Sequence, residues 1–236
     1  MRRNVTDFHE FYTGALGGMV QHALVRKLGD FLKPDKQTCL AFGYVFPFVK
    51  ETNDFFAVLM PGYLGAKSWP EGRLNRVAVI DEYPWPIETN SVDQLLIVHG
   101  LEYTQNPDAV LKEAWRVLKS QGRLKLVVPN RFGFWARSDR NVLGFGRPYS
   151  AGQLLEILRA CNFVKEKQER ALFTPPLSWR WVVRLSPYIE KYMGWLLDSF
   201  GGVHIVEVSK QLYAGLPVTV AETTKEKPVL AVKPTA

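Results

Sequence analysis

Residues 81–130 read DEYPWPIETNSVDQLLIVHGLEYTQNPDAVLKEAWRVLKSQGRLKLVVPN, and they carry the clearest secondary-structure signals in the chain. Residues 92–99 form a mostly apolar run behind a turn-rich segment, which predicts a buried strand. Residues 106–119 begin with Asn106 as a helix cap and have apolar side chains at helical spacing. Residues 123–129 then predict the next strand. Because a strand, a helix and a strand follow one another, we expect a right-handed crossover between parallel strands.

The rest of the chain continues this alternation. Short apolar runs predict further strands at residues 38–43, 55–60, 76–80 and 203–213. A helix is predicted over residues 6–32, where Thr6 could cap it and internal glycines permit a break, and another helix follows Ser150. These elements predict an α/β fold with a largely parallel sheet. Such sheets bind ligands beyond the carboxyl ends of their strands, so the residues just after each strand are the candidates for a site.

Charge and cysteine content narrow the class of protein. The 236 residues include 30 Lys and Arg against 23 Asp and Glu, and the resulting net charge of +7 is spread along the chain. This excess permits RNA or another anionic partner without specifying one. The two cysteines are too few for a disulfide framework or a zinc site, so we expect no metal. Because no apolar run reaches the roughly 20 residues of a membrane span, and the start resembles no secretory signal, we expect a cytoplasmic protein.

The chain divides into three expected segments. Residues 1–34 are an N-terminal helical segment, residues 35–214 are the main domain, and residues 215–236 are a mobile tail. Within the main domain, a helical insertion at about 176–202 is rich in aromatic residues. Acidic residues and Pro187 interrupt its apolar stripe, which favours a lid or a homodimer face over a membrane anchor.

Residues 81–130 resemble class I S-adenosylmethionine-dependent methyltransferases, most closely the methyltransferase type 11 group. Residues 81–96 resemble that family's acidic–LPF–DxSFDxV stretch, residues 99–102 its H-x-L-E, and residues 110–124 its L-x-E-x-x-R-V-L-K-P-G-G-x-L. Extended to the neighbouring strands, the resemblance covers roughly residues 35–165. It implies a Rossmann-like three-layer sandwich, with a mostly parallel sheet of about seven strands and helices on both faces. It also implies S-adenosylmethionine as the cofactor, bound where the strand order reverses.

The first two strands depart from the family pattern. The family's D-x-G-x-G-x-G loop corresponds here to residues 40–47, which read LAFGYVFP and contain one glycine and no acid. The second strand ends in LMPG at residues 59–62, where the family has an acid for the ribose. Asp81 matches the family's acid near the adenine. The cofactor-binding residues implied by the resemblance are Gly43, Tyr44, Met60, Asp81, Glu82 and His99. In the alternative interpretation, Gly43 only ends a strand with positive φ and Asp81 is a solvated loop acid.

His99 and Glu102 are the candidate catalytic residues. Both follow the fourth strand on the ligand side, and a histidine titrates near neutral pH, as a general base requires. Alternatively, His99 is a hydrogen-bonded structural residue and Glu102 caps the next turn.

Candidate substrate-binding residues follow the fifth strand. They are Asn130, Arg131, Arg147 and Tyr149, in a loop rich in basic and aromatic residues. This combination suits a carboxylate, a phosphate or a nucleobase. Alternatively, the loop is packed down by its aromatic side chains while its arginines point into water.

Two functions of different classes follow. The first is a methyltransferase that moves a methyl group to an unidentified small or macromolecular acceptor, mainly by positioning the two reactants. The second is a catalytically inactive binding or assembly module for RNA or a protein. Tyr44 or Phe46 filling the space between the first and fourth strands would favour the second function. A nicotinamide-dependent dehydrogenase is disfavoured because no G-x-G-x-x-G follows the first strand.

Overall fold

Strands and helices alternate in the computed structural model, which describes residues 3–32, 37–50, 56–138, 141–177, 184–185, 188, 190 and 200–211. The helices are α1 (Val5–Thr13), α2 (Ala15–Leu28), α3 (Pro107–Val117) and α4 (Ala151–Ala160). The strands are β1 (Cys39–Gly43), β2 (Phe56–Pro61), β3 (Val77–Ile80), β4 (Val92–Val98), β5 (Leu118–Pro129), β6 (Phe163–Ala171) and β7 (Val203–Lys210).

Within the described ranges these strands form one seven-stranded sheet in the order β3-β2-β1-β4-β5-β7-β6. Strands β1 to β5 pair in parallel, and β7 lies antiparallel between β5 and β6. The strand order reverses between β1 and β4, which makes their carboxyl ends the switch point where such sheets bind ligands. The predicted α/β fold, a Rossmann-like sandwich with a mostly parallel sheet, is confirmed.

Helices cover both faces of the sheet. Successive residues of a strand point to opposite faces, so Ala41 packs with α1 and α2 while Phe42 packs with α3 and α4. Phe8 and Leu24 belong to the first of these two cores, and Leu111 belongs to the second. The N-terminal helices therefore share a core with the sheet.

The N-terminal helix predicted over residues 6–32 is two helices. Gly14 adopts an extended conformation, with φ −78° and ψ 162°, and separates α1 from α2. The cap of α1 is Asn4, whose side chain accepts from the backbone of Thr6 and Asp7, so Thr6 is not the cap. The Asp7 carboxylate accepts in return from the Asn4 backbone nitrogen and completes a capping box.

Strand β6 was not among the predicted strands. It runs from Phe163 to Ala171 with the interior KEKQER, which has no apolar alternation. As the last strand of the sheet it pairs only with β7 among the described strands. An edge strand tolerates charged side chains on both faces, and such charges also discourage pairing with another chain.

Two predicted segments fall mainly or wholly outside the described residues. They are the aromatic helical insertion at about 176–202, with its dimer face, and the tail at 215–236. Among the described residues, no helix is long and apolar enough to cross a membrane. In the same part of the chain, no group of three His, Cys, Asp or Glu side chains is arranged to hold a metal ion.

Candidate functional site

The candidate site lies at the switch point, where β1 ends at Gly43. Gly43 has a φ of +96°, and a Cβ atom there would lie 2.3 Å from the carbonyl oxygen of Val98 and 2.9 Å from the nitrogen of Gly100. A side chain is excluded by the positive φ and by the close approach of the chain that follows β4. The atoms that approach Gly43 most closely are thus backbone atoms of the segment that follows β4.

Aromatic side chains fill the space above these two strand ends. Phe8 and Tyr12 stand four residues apart on α1, so both point towards the sheet. Phe8 stacks on Tyr44 with ring centroids 4.8 Å apart, and its centroid lies 4.8 Å from the ring of His99. Tyr103 contacts Phe8 edge-on at 5.7 Å. We call these five buried residues the aromatic cluster.

Three buried side chains form a hydrogen-bonded chain at the base of the cluster. The Tyr12 hydroxyl lies 2.6 Å from Nε2 of His99, and Nδ1 of His99 lies 3.1 Å from Oε1 of Glu102. With Tyr12 donating to Nε2, the ring proton sits on Nδ1 and is donated to Glu102, so a neutral imidazole satisfies both bonds. The Glu102 Oε2 atom is buried and has no hydrogen-bond partner among the described residues.

Burial keeps the phenols of the cluster protonated. Burial and, secondarily, the charge of Glu102 raise the pKa of Tyr12 well above its ordinary value of 10.0. Burial also raises the pKa of Tyr44 to about 12.

A histidine oriented by a carboxylate and bonded to a hydroxyl can activate that hydroxyl. The predicted catalytic residues His99 and Glu102 are brought together in this way, and their hydroxyl partner is the buried tyrosine of α1.

A cleft of about 220 Å³, open to solvent, borders the cluster beside Tyr12 and Tyr44. Its walls also include Phe46, Lys67 and Trp69. The ring centroids of Tyr44 and Phe46 are 5.2 Å apart, and those of Phe46 and Trp69 are 6.2 Å apart. The Lys67 ammonium lies 5.5 Å from the centroid of Phe46. We call this opening the β1 cleft.

The remaining predicted cofactor residues are Met60, Asp81 and Glu82. Met60, in β2, is completely buried in the core. Asp81 follows β3 and is exposed. The Glu82 carboxylate accepts hydrogen bonds from the Thr104 hydroxyl and the Gln105 backbone nitrogen, so it ties the loop after β3 to the loop after β4.

The predicted substrate-binding residues connect neighbouring loops through side-chain and backbone hydrogen bonds. The Asn130 side-chain amide donates to the Gly201 carbonyl at 2.7 Å, and the Arg131 nitrogen donates to the Tyr149 carbonyl at 3.0 Å. The Tyr149 hydroxyl donates to the Leu101 carbonyl at 3.3 Å, and burial raises its pKa to about 12. The side chains of Arg131 and Arg147 are exposed.

A second polar network holds the loop between β3 and β4 against α3. The Glu113 carboxylate accepts from the Trp85 backbone nitrogen at 2.7 Å and from two guanidinium nitrogens of Arg116 at 2.9 Å. Arg116 also donates to the carbonyls of Ile87 and Trp85. The Arg116 bonds hold the pKa of Glu113 below its ordinary value of 4.5.

Much of the site is formed by residues outside the recognised sequence motifs. Phe8 and Tyr12 come from α1, and Lys67 and Trp69 come from the segment after β2. The four-residue spacing of Phe8 and Tyr12 indicates an apolar helix face but does not indicate what that face packs against. No pattern in the sequence relates Lys67 or Trp69 to the end of β1, because the contact depends on how the chain after β2 folds back.

One protein-family model matches the chain, and its description is "Methyltransferase domain". The match covers residues 66–126. No curated protein matches the chain.

Several solved structures share the fold over most of the chain. An S-adenosylmethionine-dependent methyltransferase from Thermotoga maritima has a TM-score of 0.59 at 15% identity, covering 88% of this chain and 96% of its own. A complex between the Haloferax volcanii Trm112 methyltransferase activator and a candidate methyltransferase matches with a TM-score of 0.58 at 14% identity, over 89% and 98%. A geranyl diphosphate methyltransferase in complex with S-adenosylmethionine matches with a TM-score of 0.51 at 16% identity, over 79% and 84%.

Proposed function

We propose that this chain works as a binding module without methyl-transfer activity. By fold, the chain belongs to the class I S-adenosylmethionine-dependent methyltransferases. The observation that carries this proposal is the aromatic cluster at the switch point. Phe8, Tyr12 and Tyr44 pack together at the ends of β1 and β4, the switch point at which sheets of this order bind their ligands.

The residues around these strand ends do not fit S-adenosylmethionine. The β1 cleft measures about 220 Å³, whereas pockets for ligands of cofactor size measure roughly 300–1,000 Å³. The Tyr63 hydroxyl donates to the Gly100 carbonyl at 3.2 Å and so connects the segment after β2 directly to the segment after β4. None of the described residues that line the β1 cleft is an acid, although the cofactor's sulfonium and ammonium groups favour carboxylate partners.

A second candidate function is methyl transfer itself, with α1 moving away to admit the cofactor. It is favoured by the family match over residues 66–126 and by the exposed Asp81 after β3, where the family holds the adenine. The shared core between α1 and the sheet argues against this movement, because it would expose Phe8 and Tyr12 to water.

Calorimetric titration with S-adenosylmethionine and with its demethylated product tests the proposal. We expect no binding heat at millimolar ligand and no rise in the thermal unfolding midpoint, since a ligand that binds the folded state raises that midpoint. Circular dichroism on the same sample shows whether the protein is folded.

Micromolar binding would contradict the proposal and favour methyl transfer. Asp81→Ala then locates the ligand, because only the cofactor site of the family loses affinity with that change. Glu71→Ala is the matched control, since Glu71 is an exposed acid before β3 and does not line the β1 cleft.

A further inference from the structure

We infer that the β1 cleft binds a small aromatic acid, with its ring held among Tyr44, Phe46 and Trp69 and its carboxylate held by Lys67. The inference rests on the proposed function in one respect, namely that Tyr44 keeps the position in which it forms a wall of the cleft. It goes further by assigning the module a ligand class and the residues that recognise it.

The walls of the cleft suit a planar ring. Tyr44 and Phe46 meet edge to face, with an angle of 87° between their planes, and Trp69 lies beyond Phe46. Tyr44 and Trp69 are almost completely buried, so the surrounding core holds both rings in place. Rigid aromatic walls bind an aromatic ligand through offset and edge-to-face contacts, with little loss of side-chain entropy.

The polar groups of the cleft suit an anion. The Lys67 ammonium forms no ion pair with any described carboxylate, and none of the described residues that line the cleft is an acid. Among the described residues, the Tyr44 hydroxyl has no hydrogen-bond acceptor. Because burial raises its pKa to about 12, this hydroxyl remains a donor at neutral pH. A carboxylate accepts from an ammonium and from a phenol through charge-assisted hydrogen bonds.

A cation fits the same cleft poorly. Aromatic walls alone would also attract an organic ammonium ion through the negative faces of their rings. Here the face of Phe46 already has the Lys67 ammonium 5.5 Å from its centroid, so a second cation would meet a like charge. The volume of about 220 Å³ suits a single ring with a short substituent.

A saturation-transfer NMR titration with three probes of similar size tests the inference on the intact protein. Benzoate has the ring and the charge, benzamide has the ring without the charge, and benzyltrimethylammonium has the opposite charge. We expect benzoate to bind in the millimolar range, as befits so small a molecule, and at least tenfold more tightly than either other probe.

Variants at Lys67 identify the contact. Lys67→Gln keeps most of the side-chain stem and should weaken benzoate at least tenfold, while leaving benzamide unchanged. Lys50→Gln is the matched control, because Lys50 is exposed and does not line the cleft, and it should change neither probe.

Three results would overturn the inference: no saturation transfer to any probe, tighter binding of the cation, or equal loss of benzoate binding in both lysine variants. These failures are distinguishable from failure of the proposed function. Binding of S-adenosylmethionine in the separate calorimetric titration would overturn only that function, whatever benzoate does.

Discussion

Two regions at the ligand edge of the sheet are stabilised by different means. At the end of β1, Gly43 and Tyr44 are held by steric fit and aromatic stacking against α1. Between β3 and α3, the loops are held by carboxylates, where Glu82 accepts from residues 104–105 and Glu113 accepts from Trp85 and Arg116. The second region lies within the family match at residues 66–126, whereas Gly43, Tyr44 and α1 lie outside it.

The two regions differ in the kind of interaction that their backbone requires. The loops of the second region need directional hydrogen bonds to keep their path, because their backbone groups are not paired in a sheet or a helix. The end of β1 needs only a filled and dry space, which stacked rings provide as well as a bound molecule would. Aromatic packing at the end of β1 and carboxylate hydrogen bonds between β3 and α3 therefore stabilise two parts of the same sheet edge by different forces.

The largest expected loss of stability is in the first region, at Phe8. Phe8→Ala removes the ring that contacts Tyr44, His99 and Tyr103, and we expect a loss of about 3–5 kcal/mol in the free energy of unfolding. Urea unfolding measures this loss. Phe134→Ala, at a side chain that is 50% exposed, should cost no more than about 0.5 kcal/mol. A similar small loss at Phe8 would mean that α1 packs weakly on the site, and would favour its movement.

The next largest loss of stability is expected at Gly43, where comparison with Gly72 distinguishes backbone strain from a steric clash. Gly43→Ala should lower the free energy of unfolding by about 2–4 kcal/mol, since it adds positive-φ strain to a clash with the Val98 carbonyl. Gly72 has a φ of +68° and open space where an alanine methyl group would lie, so Gly72→Ala should cost only about 1 kcal/mol. Chemical denaturation of both variants gives the difference. Equal losses would show that φ alone requires glycine at residue 43.

The smallest expected loss of stability is in the second region, at Glu113, and it should depend on pH. Glu113→Gln should lower the free energy of unfolding by about 1–2 kcal/mol at pH 7. Because the folded-state pKa of Glu113 lies below its ordinary value of 4.5, this contribution is present above pH 4.5 and is lost as the pH falls through the folded-state pKa. The two proteins should therefore converge in acid, as urea unfolding at several pH values would show.

Glu156→Gln controls for a general effect of removing an acid. Glu156 is exposed on α4, so this variant should match the wild type at every pH. A Glu113→Gln deficit that persists well below the folded-state pKa would mean that shape, and not the carboxylate charge, holds the loop to α3.

Much of the fold was predictable because its local signals agree with its tertiary structure. Strand β4 was predicted at 92–99 and ends at Val98, and the helix predicted at 106–119 is Pro107–Val117 with its predicted Asn106 cap. Strand β6 was missed because an edge strand needs no apolar alternation. The break at Gly14 was permitted by the glycines of that segment, although its position was not specified.

The candidate site was predictable only in part. The predictions identified His99 and Glu102 as residues after the fourth strand, and the hydrogen bond between them is local, since they stand three residues apart. They also anticipated that Tyr44 could occupy the space between the first and fourth strands. They did not identify Tyr12, which lies 87 residues from its partner His99.

The α/β class of the fold and most of its strands and helices follow from the local spacing of apolar residues and from turn chemistry, whereas the edge strand β6 and the break at Gly14 do not. The side chains that fill the switch point, by contrast, depend on three-dimensional packing. Phe8 and Tyr12 contact Tyr44, and Lys67 and Trp69 contact Phe46, through packing between segments far apart in the chain, and no local pattern encodes such contacts.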